Sequence, residues 1–112
     1  MGTDATMIIE KGEIFSPTSV CWEPFIIEHM DRNYDLFDAL RENGREGFPN
    51  TCNENTMKWI QELECWGFGW MDWEDFLKVC EKCNCKKRYN LVKKSLQKDN
   101  DFIFRVIYGF DN

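Results

Sequence analysis

The sequence predicts an α+β domain, a small antiparallel sheet of about three strands covered by three to four helices, with an N-terminal hairpin and a central C-terminal strand. Three observations carry this. Two strand-like runs are separated by the turn-forming Ser16-Pro17-Thr18-Ser19. The middle of the chain repeats apolar residues at helical spacing. The run Phe102-Ile103-Phe104-Arg105-Val106-Ile107-Tyr108 is apolar on both faces, as befits a strand in the middle of a sheet. A chain of 112 residues forms one domain, 1–112, with five Trp and nine Phe to fill its core.

Taken in order, Thr6–Phe15 and Val20–His29 read as the hairpin strands. Tyr34–Asn43 is an amphipathic helix with Tyr34, Phe37 and Leu40 on one face, and Gly44 follows where a left-handed residue is cheapest. Arg45–Asn53 reads as a Gly- and Pro-containing loop. Glu54–Trp66 repeats through Met57, Ile60 and Leu63 as a second helix, which Gly67 and Gly69 end. Asp72 caps a third helix with Trp73, Phe76, Leu77 and Cys80 inward, and Asn90–Lys98 is a shorter fourth. The C-terminal strand is placed against the first strand, with helices over one side.

The net charge of −6 is unevenly spread. Residues 78–98 carry eight basic side chains against Glu81 alone, so that stretch is +7 and the remainder −13. An acidic body repels bulk nucleic acid, and the basic run reads first as a solvated helix face. No run of about 18 apolar residues and no secretion signal is present, so a soluble, cytoplasmic protein with no membrane partner is expected.

Six cysteines in such a chain are expected to be reduced. Cys80, Cys83 and Cys85 can offer thiolates to zinc, with Cys65 or Cys52 as a fourth ligand, but a second close Cys or His pair is missing. Free cysteines are the preferred reading. A redox role for Cys80 and Cys83 is disfavoured because no strand precedes them in a βαβ arrangement. No cofactor is expected.

The densest cluster of binding chemistry is Asp31-Arg32-Asn33-Tyr34-Asp35-Leu36-Phe37, an arginine, an aromatic and two carboxylates at a helix start. Two readings fit: a cap with an apolar face behind it, or an anion-binding mouth. If the last strand pairs with the first, Asp4, Arg105 and Asp111 share its sheet. Arg32, Arg45 and Arg105 then offer planar donors to phosphate, and Tyr34, Trp66, Phe68 or Trp70 can stack on a ring. The candidate binding residues are Arg32, Asn33, Tyr34, Asp35, Arg45, Arg105, Asp4 and Asp111. Each arginine can equally serve an ion pair. Asp72, Glu74 and Asp75 read as helix-start acids rather than a catalytic pair.

The opening Met1-Gly2-Thr3-Asp4-Ala5-Thr6, the block Arg32-Asn33-Tyr34-Asp35-Leu36-Phe37, the segment Gly69-Trp70-Met71-Asp72-Trp73 and the ending Arg105 to Asn112 occur in the order seen in a set of known proteins. Together they resemble a family of small bacteriophage proteins that begin Met-Gly-Cys-Asp-Ile-His and carry an Arg-Asn-Tyr-Asp-Leu-Phe helix start. The departures fall on chemistry. This chain has Thr3-Asp4-Ala5-Thr6 in place of Cys-Asp-Ile-His and Trp66-Gly67-Phe68-Gly69 in place of histidines, and its single histidine is His29. Histidine-dependent chemistry is therefore not carried over.

The resemblance implies a phage-encoded accessory protein. Three functions are expected, in this order: a counter-defence inhibitor that binds a host protein through its acidic surface, a sponge for a small nucleotide signal, and a metal-dependent phosphodiesterase or nuclease relative. A binder fits the residues better than an enzyme, and a homo-oligomer is compatible with either binding mode.

Overall fold

The computed structural model describes residues 4–31, 34–63, 65–83, 89 and 102–111. Strands β1 (Asp4–Ser16) and β2 (Ser19–Asp31) form the expected hairpin, thirteen residues to a side, around Pro17 and Thr18. Helix α1 spans Tyr34–Asn43, α2 Glu54–Glu62 and α3 Trp73–Lys82. Strands β3 (Arg45–Glu46), β4 (Trp66–Asp72) and β5 (Phe102–Asp111) complete an antiparallel sheet in the order β2-β1-β5-β4-β3. The C-terminal strand is its centre, as its two-faced apolar sequence requires.

The α+β class matches, but the sheet has five strands rather than about three. The two additional strands lie where glycines read as breakers. Gly69 sits in β4 because a Cβ there would strike the Tyr108 ring, so the glycine permits close approach rather than ending a helix. Gly67, at φ +62°, lies at the irregularity where the β4–β5 register shifts between Trp66 and Gly69. Helix α2 accordingly stops at Glu62, and Trp66 belongs to β4. The expected loop after α1 opens with β3, pairing Arg45 with Trp70 and Glu46 with Gly69.

Gly44 is likewise not left-handed; the positive-φ glycines among the described residues are Gly47 and Gly67. It is required by space, because the Tyr108 hydroxyl occupies the position of its Cβ and donates to Leu40 O at 2.8 Å. The expected fourth helix over Asn90–Lys98 falls outside the described residues, as do Cys85 and all of the basic run beyond Cys83 except Tyr89.

Successive residues of β1 face opposite ways. Ala5, Met7 and Ile9 join Val106, Tyr108 and Phe110 beneath α1 and α3, with Leu36, Phe37, Leu40, Phe76 and Val79. Ile8 and Ile107 face the other way, against Ile60 of α2 with Cys52 and Cys65. Helices thus cover both faces, not one, which is what a central strand apolar on both sides demands. No helix among the described residues is long and apolar enough to cross a membrane.

Candidate functional site

The α2 face holds a buried polar group that ties sequence-distant segments together. Glu10 is fully buried and Arg105, its cross-strand partner, is 4% exposed. Arg105 Nε and Nη2 each lie 2.8 Å from Glu10 Oε1, while Nη1 and Nη2 donate to Thr51 Oγ1 and Thr51 O at 3.0 Å. Glu10 Oε2 accepts from Thr56 Oγ1 at 2.7 Å and from the Asn53 amide at 3.1 Å. Trp22 closes the top, its ring centroid 3.8 Å from the guanidinium. All three nitrogens of Arg105 are engaged within the protein, which leaves a single Nη1–H on a side chain that is 4% exposed. Sequence reasoning singled out Arg105 but missed Glu10, whose only signal is a carboxylate at an inward position of a half-apolar strand.

The other expected site residues do not converge on it. Asp4 pairs with Asp111 on one side and Asp31 on the other, at the far end of the sheet and about 20 Å along the strand from Glu10. Arg45 stands at the opposite edge, its guanidinium 4.4 Å from the Trp70 centroid and 3.4 Å from Asp72 Oδ2. Tyr34 is half-exposed with its ring edge-on to Phe37, and Asp35 is exposed in the first turn of α1. Arg32 and Asn33 lie outside the described residues.

Two reactive-looking arrangements are inert by geometry. His29 Nδ1 is 3.4 Å from Thr6 Oγ1 and its Nε2 3.6 Å from Asp4 Oδ2, but Thr6 is 3% exposed, which leaves its hydroxyl closed to a substrate. The thiols of Cys52, Cys65 and Cys80 are equally shut in, whereas Cys21 is exposed. Burial, reinforced by the Glu10 carboxylate and opposed by Arg105, pushes Cys52 up to about 12. Burial and then Asp111 raise Cys65. Cys65 and Cys80 belong to clusters on opposite faces of the sheet, so they cannot ligate one ion. Strand β4 precedes α3 where the sequence read only helix-breaking glycines, but β4 and β5 are antiparallel, so Cys80 and Cys83 follow no strand of a βαβ unit formed by these elements.

The hairpin presents an open edge and exposed apolar side chains. Among the described residues β2 is an end strand of the sheet. Ile14 and Phe15 of β1 and Phe25 and Ile27 of β2 are all more than 40% exposed. A groove of about 420 Å³ runs between Pro24 and the Asn55, Lys58, Trp59 and Glu62 side of α2. Trp59 and Leu63 are themselves half-exposed beside it. Strands β1 and β2 together carry six carboxylates and Lys11 as their sole lysine or arginine, and Glu10 is the one carboxylate matched internally by Arg105. Pro24, at the register shift opposite Glu10, divides the edge in two and leaves Phe25–Asp31 as its longer stretch. Comparison with protein-family models, with curated proteins and with solved structures finds no match.

Proposed function

We propose that this chain is a binding protein without turnover, which docks an extended, basic segment of a partner protein along β2 and into the groove beside α2. In the setting that the sequence resemblance implies, the partner is a host component and the outcome is its inhibition, a counter-defence role. The observation that carries the reading is an end strand flanked by exposed aromatics and by a groove that Pro24 and Trp59 line together with Asn55, Lys58 and Glu62. Main-chain pairing to such an edge supplies affinity, and alternate side chains supply specificity.

Charge selects the partner. Strand β2 carries Glu23, Glu28 and Asp31 and neither lysine nor arginine. A second copy laid against it would set carboxylate near carboxylate, which disfavours self-pairing. A basic strand is steered in and meets complementary charge. Exposed apolar side chains on both faces of the strand then bury against the incoming segment.

The test is capture from a bacterial host lysate, identification of the partner, and titration of the purified pair. Ile27→Lys and Trp59→Ala each weaken binding at least tenfold with folding intact, and affinity falls as salt rises. Affinity unchanged by both substitutions would overturn the reading.

A further inference from the structure

The irregularity in β2 sorts the two sides of the sheet edge by chemistry. Glu10 pairs with Pro24 and Ile9 with Ile26, so Phe25 is the extra residue and the alternation of side chains is reset there. Ile26 packs against the cluster beneath α1 and α3, and Phe25 meets Phe104 of that same side with ring centroids 5.9 Å apart. Glu28 points the same way, its Oε2 accepting from the hydroxyl of Tyr89, a member of that cluster, at 2.6 Å. Ile27 lies opposite Ile8, which faces α2. Pro24 is also on the α2 side, where it lines the groove.

The α2 side offers apolar surface without net charge. Ile27 is 52% exposed and Trp59 44%. Lys58 and Glu62, the charged residues of the groove, lie 3.9 Å apart and offset each other. The other side is acidic beyond Pro24, where Glu28 follows the half-exposed ring of Phe25 and the half-buried Ile26. Lys11, the sole base of the hairpin, pairs in register with Glu23 on the far side of Pro24, its amine 4.0 Å from the Phe102 centroid and 5.5 Å from that of Phe25.

Residues opposite one another on neighbouring strands project to the same side of a sheet, whichever way the strands run. A segment added to β2 therefore sends the side chain opposite Ile27 toward α2 and the one opposite Glu28 to the other side. We propose, on the basis of docking at β2, that the captured segment alternates apolar and basic residues, an apolar side chain opposite Ile27 and a lysine or arginine opposite Glu28. A carboxylate accepts several donors, so Glu28 can serve the incoming cation together with Tyr89, and the cation's stem covers apolar surface beside it. The opposite placement is penalised twice. It takes a cation out of water on the uncharged α2 side and covers the Glu28 carboxylate with an apolar group.

The experiment titrates the full chain with three short, end-capped peptides: one alternating lysine with valine, one of the same composition with lysines and valines in separate blocks, and one alternating glutamate with valine. Calorimetry reads affinity, and hydrogen–deuterium exchange reads the place of contact. The lysine–valine alternation is expected to bind about tenfold more tightly than the block peptide, to protect Phe25–Asp31, and to weaken severalfold on Glu28→Gln, which keeps an acceptor for Tyr89. The glutamate peptide should bind least. Equal affinity for the alternating and block peptides, or no effect of Glu28→Gln, with β2 protected in each case, would overturn the alternation and leave docking at β2 standing. No protection of β2 by any of the peptides at millimolar concentration would overturn both.

Discussion

Arg105 and Glu10 are cross-strand neighbours on β5 and β1, and their side chains form a 2.8 Å ion pair that is almost wholly removed from solvent. Thr51, Asn53 and Thr56 complete it from the segment that leads into α2. The pair is therefore the clasp between the sheet and α2, and with α2 it fixes one wall of the docking groove. A buried charge is tolerable only while its partner and its hydrogen bonds persist.

Removing one partner should be costly. Arg105→Ala or Glu10→Ala strands a buried charge and is expected to destabilise the domain by about 3–5 kcal/mol, whereas Glu10→Gln combined with Arg105→Met should cost less than either alanine variant. Urea denaturation of the three variants measures this. Equal stability of Arg105→Ala and the parent would show that the clasp is not formed.

Glycine at 69 is demanded by Tyr108. Gly69→Ala should destabilise by about 1–3 kcal/mol, because the added Cβ meets the Tyr108 hydroxyl and ring carbon within a close-packed sheet. Tyr108→Phe removes the hydroxyl nearest that Cβ, so the double variant should recover part of the loss even though the bond to Leu40 O is gone. A double-mutant cycle by thermal denaturation checks it; strict additivity would count against the contact.

Alkaline pH should loosen the fold in a defined window. Burial raises Tyr108 from 10.0 to about 12, and burial with the Glu10 charge raises Cys52 from 9.0 to about 12. The folded chain retains these protons where the unfolded chain releases them. Stability is therefore whole below about pH 9 and falls as pH rises through the interval from 9 to about 12. Cys52→Ala should make that fall shallower. At neutral pH a thiol reagent should modify the exposed Cys21 quickly and the buried Cys52, Cys65 and Cys80 only on unfolding, as peptide mass mapping would show.

The hairpin, the bounds of α1, the start and apolar face of α3 and the central place of β5 were legible in the sequence because each is written in local patterning. Strands β3 and β4 were not. The run Trp66-Gly67-Phe68-Gly69-Trp70 has no clean alternation, and its glycines answer to Tyr108 and Phe110, forty residues away in sequence. Similarly, a single arginine at 105 shows its chemistry but not its partner. Ligand contact and internal ion pair are distinguished only by knowing that Glu10 lies opposite.

Deleting the chain from Phe102 onward removes the central strand with Val106, Ile107, Tyr108 and Phe110, all buried. The truncated chain should lose its cooperative thermal transition altogether. A transition near the parent midpoint would contradict the observed sheet order.

The most direct test of docking at β2 is hydrogen–deuterium exchange on the protein alone and in complex with its captured partner. Edge pairing predicts new protection concentrated in Phe25–Asp31 and in the Asn55–Glu62 turns of α2, with exchange in β4 and β5 unchanged. Protection confined to other segments, with β2 exchanging as it does in the free protein, would contradict the account.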